Sequence, residues 1–274
     1  MTLCETDPHF SAEVCTAEIV ICGSVTHYGG KVKGEELCYN LGMLEELKEK
    51  VCAANLALVR HGLVTLTWGN ASAIDRAKGL VVIKPSGVDY ASMTPEDMVV
   101  VDMDGKVLEG RYRPSSDTPT HLVLYKAFPT IGGVVHTHSA HATAWAQAAR
   151  PIPNLGTTHA DTFHTDVPVT DEIPDDRIRA AYEEATGDTI VETFRRLGID
   201  PDETPAAIAV HHGLFTWGRT VEKAVENAVV LEEVAKIAAL TVALNPSAQM
   251  NPALVEKHYS RKHGPNAYYG QIAR

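Results

Sequence analysis

The stretch Val134-Val135-His136-Thr137-His138-Ser139 places two histidines, one residue apart, at the end of an apolar run and just ahead of an Ala-rich segment. Residues 131–137 read as a strand and residues 141–149 as a helix ended before Pro151, so the pair lies where a strand leaves a sheet. Side chains two apart on a strand share a face, with Cα atoms roughly 6.6 Å apart at about 3.3 Å rise per residue. Two imidazoles so placed can close on one divalent cation through bonds of about 2.0–2.1 Å. The third ligand must come from elsewhere. His211-His212, after the apolar run 206–210, supplies two adjacent candidates. Thirteen histidines make chance pairs expected, but a strand-borne His-x-His with a second pair after another strand favours metal. Three neutral imidazoles leave a cation its full charge and an open position, which suits a Lewis acid rather than a structural site.

Working outward, strands and helices mix. Leu44, Leu47, Val51, Ala54 and Leu58 recur at helical spacing, predicting a helix from Met43 to about His61-Gly62. Residues 63–68 and 80–83 read as strands, with Gly69-Asn70 and Pro85-Ser86-Gly87 as turns. Thr94-Pro95 looks like a helix cap, yet the valines after it suit a strand. Asp104-Gly105 then marks a hairpin between 98–102 and 106–109. Helices are predicted from Thr118 to about Phe128, over 178–197, and from Thr220 to about Leu244; residues 206–210 and 214–217 read as strands. Residues 150–175 read as loop or short strand, and the tail 254–269 as a docking segment rich in aromatics and bases. Hairpin signals among many helices point to an α+β fold with an antiparallel core rather than a βαβ series. There is no Gly-rich dinucleotide fingerprint and no P-loop.

A chain of 274 residues can bury a full core, and its net charge of −11 argues against nucleic-acid or anionic-membrane partners. A small anionic substrate needs only a local nest of donors. No apolar run reaches the length of a membrane span, and the start, with six acids against two lysines in residues 1–42, does not resemble a signal peptide. A cytoplasmic protein is expected. The cysteines at 4, 15, 22, 38 and 52 match no zinc-ribbon spacing and read as reduced thiols. The composition changes near residue 42. Residues 1–42 are therefore expected to be an appendage, either poorly ordered or a mis-called start, before one domain over 43–274.

Other segments carry weaker signals. Arg113-Pro114-Ser115-Ser116-Asp117-Thr118-Pro119 is a capped helix start or, with its hydroxyls, an anion site. Lys84, Ser86, Gly87, Gly69 and Asn70 offer further donors at turns. Gly156-Thr157-Thr158-His159-Ala160-Asp161 sets hydroxyls, an imidazole and a carboxylate in one loop, where Asp161 is an acid/base or a turn former.

Longer strings then coincide with one family. LVTLTWGNASAIDR (63–76), VIKPSGVDY (82–90), PSSDTPTH (114–121), FPTIGGVVHTHS (128–139), GTTHAD (156–161), HHG with the following TWG (211–218), KHYSRKHG (257–264) and AYYGQ (267–271) occur in order. From Met43 to Gln271 the chain resembles the L-ribulose-5-phosphate 4-epimerases of the class II aldolase/adducin superfamily. The resemblance implies a three-layer α/β/α fold with a mostly antiparallel sheet, and a homotetramer with active sites between subunits. It implies one zinc ion per subunit on His136, His138 and His212, with Asp117 as a fourth or intermittent ligand. Substrate contacts are implied at Gly69, Asn70, Lys84, Ser86, Gly87, Ser115, Ser116 and Thr157, with His258 and Arg261 near the interface. Asp161 and Tyr269 would be the acid/base pair, the tyrosine reaching in from a neighbouring subunit.

The implied reaction interconverts L-ribulose 5-phosphate and D-xylulose 5-phosphate, a step of arabinose catabolism that ascorbate and other pentose pathways share. The inverted carbon bears no acidic C–H, so the family cleaves C3–C4 by retro-aldol reaction and re-forms the bond on the other face of the aldehyde. Since the C4 hydroxyl changes face, two acid/base groups on opposite sides are useful, each contributing about 10²–10⁴-fold. A class II aldolase of the L-fuculose-1-phosphate type shares the zinc histidines but carries Glu in place of Asp117 and lacks the GTTHAD context. An adducin-like binding module could dispense with the metal ligands, all of which are present here.

Overall fold

The computed structural model describes residues 34–264, 267 and 268. Seven strands form one sheet in the order β4-β3-β2-β1-β5-β7-β6. They are β1 (Asn70–Asp75), β2 (Leu80–Ile83), β3 (Val99–Asp102), β4 (Val107–Glu109), β5 (Gly133–Thr137), β6 (Ala206–Ala209) and β7 (Gly213–Gly218), and every neighbouring pair is antiparallel. Among the described residues seven α-helices accompany them: α1 (Gly34–Arg60), α2 (Thr118–Ala127), α3 (Ala140–Gln147), the single turn α4 (Thr157–Ala160), α5 (Asp175–Leu197), α6 (Val221–Leu244) and α7 (Pro252–Ser260).

The period-2 alternation of strand side chains divides the core into two layers. Val81, Ile83, Val99, Val101, Val134, Phe215 and Trp217 face α2 and α5, where they meet Leu124, Tyr125, Phe128 and Phe194. Ala71, Ala73, Val82, Val100, Val135 and Leu214 face the opposite way, against Val51 and Leu58 of α1, Trp145 of α3 and Leu231 of α6. Both faces are covered. The fold is thus the expected α+β three-layer arrangement, and burial of each such large side chain contributes about 1.5–3 kcal/mol.

Three local expectations need correction. Residues 63–68 are not a strand: Leu66 adopts φ 53° and Gly69 φ 80°, and the Trp68 N–H closes a turn on the Thr65 carbonyl. The strand is instead the next segment, β1, whose small Ala71 and Ala73 let it lie between two packed layers. Its entry is fastened to α1, where Asn55 both accepts from and donates to the backbone of Ala71. The first helix begins at Gly34 rather than Met43. Finally, the loop 150–175 contains α4, capped from Gly156. The Thr94-Pro95 signal is one 3-10 turn over Pro95–Asp97 leading directly into β3, so both of its readings hold in succession. Among the described residues no helix is long and apolar enough to cross a membrane.

Candidate active site

The strand register assembles the site. Asn70 of β1, His136 of β5 and Phe215 of β7 are direct neighbours across three strands, on the sheet face that α2 covers. The His136 ring stacks on Phe215 at 4.3 Å between centroids, and its Nδ1 lies 2.8 Å from the Leu214 carbonyl. A carbonyl only accepts, so Nδ1 carries a proton and Nε2 is the nitrogen turned toward the other histidines. His138 continues on the same face, its Nε2 2.9 Å from that of His136.

The β6–β7 hairpin decides between the two remaining histidines. His211 takes a left-handed conformation (φ 58°), uncommon for a side chain of its size. This turns His211 outward toward Glu172 and His212 inward, where its ring centroid lies 4.7 Å from that of His136 and 5.0 Å from that of His138. One nitrogen from each of His136, His138 and His212 falls within a 4.8 Å spread. Tyr182, which follows a break in α5 at Ala181, brings its hydroxyl 3.2 Å from His212 Nδ1.

The donor set fits a divalent metal. Burial drives His138 and His212 below the ordinary imidazole range, His212 to about 3, and neighbouring imidazoles push the same way. Both rings are therefore neutral near pH 7, the form that ligates. Gly213 supports the cradle, because a Cβ there would lie 3.1 Å from the His138 ring and 3.3 Å from that of His136. Asp117, at the N-cap of α2, places Oδ2 4.0 Å from His136 Nε2. Burial raises its carboxyl, but His136, His121 and a 2.6 Å hydrogen bond from Asn70 outweigh that and leave it below the usual carboxylate range.

These groups line a pocket of about 430 Å³ together with Trp68, Gly69, Asn70, Lys84, Ser86, Gly87, Ser115 and Ser116. Its two turns are tied to each other: the Ser86 N–H donates to Arg113 O and the Ser115 N–H to Lys84 O. Lys84 is buried, its ammonium donating to the Val88 carbonyl at 3.0 Å and lying 4.6 Å over the Tyr90 ring. Burial lowers its pKa to about 8. A larger groove of about 580 Å³ between α1 and α6 has an apolar floor of Ala53, Ala57, Val225 and Val229 and no metal-ligating cluster among the described residues.

The remaining expected site residues lie elsewhere. Asp161, just after α4, accepts from Arg261 at 2.6 Å and contacts His258 at 3.0 Å and Lys262 at 3.4 Å, all from α7 or the turn that follows it. Burial raises its carboxyl, yet the Arg261 guanidinium, the hydrogen bond to His258 and the Lys262 ammonium hold it below the usual range. Thr157 opens α4 in the same region. Asp161, Thr157, His258 and Arg261 therefore do not line the histidine pocket of their own chain. Tyr269 lies outside the described residues.

Several residues that build the site have no sequence signature. Asn55 and Tyr182 are far from the histidine motifs in sequence and meet the site only through packing, whereas Gly213 lies within the HHG string. His121 is buried beside Asp117 with its Nδ1 2.7 Å from Ser72 Oγ. It closes the PSSDTPTH string one helical turn after Asp117, but nothing in that string marks it as part of the site.

Comparison with known proteins agrees with this geometry. Residues 49–239 match the model of the class II aldolase and adducin N-terminal domain. The L-ribulose-5-phosphate 4-epimerases UlaF of Salmonella paratyphi B and Salmonella typhi are each 57% identical over 231 residues, covering 83% of this chain and 100% of theirs. Among solved structures, an L-fuculose 1-phosphate aldolase superposes with a TM-score of 0.67 at 25% identity, over 79% of this chain and 95% of that one. The L-fuculose 1-phosphate aldolase of Glaciozyma antarctica shares the fold at TM-score 0.66 and 20% identity, over 88% of each chain. The chain belongs to the class II aldolase and adducin family, where it groups with the L-ribulose-5-phosphate 4-epimerases.

Proposed function

We propose that the protein is a zinc-dependent L-ribulose-5-phosphate 4-epimerase, an isomerase that works by C3–C4 cleavage and recondensation. The observation that carries the reading is the convergence of three imidazole nitrogens within 4.8 Å on a pocket also lined by Lys84, Ser86 and Ser115. Beside it stands the 57% identity to epimerases over their full length.

His136, His138 and His212 would hold the metal, with Asp117 beside them. Bound there, a divalent cation supplies Lewis-acid stabilisation for the negative charge that develops on the C2 and C3 oxygens during cleavage. The protein's own groups do the rest. Asn70 Nδ2 orients both Asp117 and Ser115, and its buried Oδ1, without a partner among the described residues, suits a substrate hydroxyl. Lys84, Ser86, Gly87, Ser115 and Ser116, with the positive end of the α2 dipole, suit the phosphate. Gripping that phosphate keeps the aldehyde fragment in place while its carbonyl turns over.

Asp161 sits against α7 in its own chain and does not line this pocket, which supports a reading in which the acid/base pair reaches it from another copy. We assign Asp161 and Tyr269 to the two faces of C4, with Thr157, His258 and Arg261 around them, in a homotetramer whose sites lie between subunits. Asp161, held as a carboxylate, is set to take the C4 hydroxyl proton. We further assign the catalytic domain to residues 43–274, residues 1–42 to an appendage, and the protein to the cytoplasm.

The test is conversion of L-ribulose 5-phosphate to D-xylulose 5-phosphate, with and without a chelator and zinc add-back. Chelator-sensitive conversion that is lost in His136→Asn is the expected result. Accumulation of free dihydroxyacetone and glycolaldehyde phosphate would instead identify an aldolase.

A further inference from the structure

Each of the three histidines must hold its ring still, yet they are steadied differently. His136 is fixed by the Leu214 carbonyl and His212 by the Tyr182 hydroxyl. Among the described residues, His138 has no such partner on Nδ1. Its ring position therefore depends on the backbone of the turn that carries it out of β5 into α3.

That turn is fastened in an unusual way. Ser139 is the N-cap of α3, but its hydroxyl accepts nothing from the first helical turn. It donates instead to Glu232 Oε2 at 2.6 Å. The same carboxylate accepts the His141 N–H at 2.9 Å and the Ala142 N–H at 3.0 Å, and contacts His141 Nδ1 at 2.7 Å. A side chain from the middle of α6 thus replaces the ordinary cap and binds three of the four residues that follow His138. Burial raises the Glu232 carboxyl, but these donors prevail and keep it below the usual carboxylate range. The base of the clamp is itself held. Asn227 of α6 donates to the Trp217 carbonyl, and Thr216 Oγ1 to the Ala224 carbonyl, locking the helix to β7.

We propose that Glu232 is a positioning residue for metal binding, setting the His138 ring by clamping the β5–α3 turn to α6. This rests on the three-histidine metal site assigned above. A residue with only a structural role would lower the stability of the fold and leave the affinity of the folded site unchanged.

The experiment uses full-length protein stripped with a chelator, and reads zinc affinity by competition with a chromophoric chelator alongside the melting temperature of the metal-free form. Glu232→Gln keeps the shape but turns an amide NH₂ toward one of the two backbone N–H groups, His141 or Ala142, which can only donate, so the turn must shift. Zinc affinity should fall roughly 10–100-fold, as for other groups that orient ligands. Ser139→Ala, which removes one bond of the clamp, should weaken zinc several-fold and keeps the test sharp should Glu232→Gln not fold. Val100→Ala, a cavity on β3 three strands from β5, is the control: its melting temperature falls and its zinc affinity does not. Wild-type affinity in Glu232→Gln or Ser139→Ala, or equal weakening in Val100→Ala, overturns the positioning role alone. Wild-type protein that takes up no zinc overturns the histidine site and the clamp's role together.

Discussion

Gly213→Ala isolates the dependence of the site on packing. A Cβ at this position would fall 2.7 Å from the Thr137 carbonyl oxygen, where ordinary contact starts at 3.4 Å. About 0.7 Å must be found between β5 and β7, and the obstructing atom is backbone, so no rotamer change relieves it. The same methyl would press on the rings of His138 and His136 at 3.1 and 3.3 Å. Overpacking of this kind costs about 1–3 kcal/mol, or a few degrees in melting temperature for a domain of this size. The larger effect belongs to function. Ligands displaced by several tenths of an ångström should lose roughly 10–100-fold in zinc affinity. A displacement approaching 1 Å at the reacting centre costs on the order of 10²-fold in rate. The assay pairs zinc competition with kcat for L-ribulose 5-phosphate at saturating zinc, and thermal melting reports the fold. A variant with wild-type zinc affinity and wild-type melting temperature would refute the reasoning, since the histidine cradle would then have room that the structure denies it.

Lys84, with its pKa lowered by burial to about 8, is charged at neutral pH and loses its proton just above it. KM for the sugar phosphate should therefore rise as pH climbs through about 8, and Lys84→Met should show a high KM that no longer varies there. His159 is buried and lowered to about 4, chiefly by burial and against its contact with the Thr165 carbonyl, so it stays neutral in the folded chain. An unfolded histidine binds a proton below about 6.5, so its contribution is complete above that pH and is lost as pH falls toward 4, at about 1.4 kcal/mol per pH unit. Urea unfolding of His159→Gln across this window should show a shallower loss than wild type, and an unchanged slope would contradict the burial of a neutral ring.

Much of the fold was legible because its elements announce themselves locally. The valines of β2 and β3, the Asp104-Gly105 turn and the Thr220 cap are signals complete within a few residues. The strand-borne His-x-His was legible for the same reason, since pleating alone puts both rings on one face. Where the reading slipped, a non-local force had decided. Leu63-Val64-Thr65-Leu66-Thr67-Trp68 has strand-like residues, but Leu66 and Trp68 end up exposed in a strained turn. Asn70–Asp75, with little apolar bulk, becomes a central strand because its small side chains fit between two helical layers.

By itself the sequence determined the alternation of strands and helices, the presence of a paired-histidine strand end and, through its long motifs, the family. Those properties depend on neighbours along the chain. Spacing left His211 and His212 open and the family motifs pointed to His212; the tertiary structure supplied the physical reason, because a left-handed backbone at His211 sends two adjacent side chains to opposite sides. It alone separated Asp161 from the pocket of its own chain, because cations of the C-terminal segment hold that carboxylate. It alone brought Glu232 to the turn after His138, across 93 residues of chain. Contacts of that range depend on how layers pack, and spacing along one strand or helix carries no record of them.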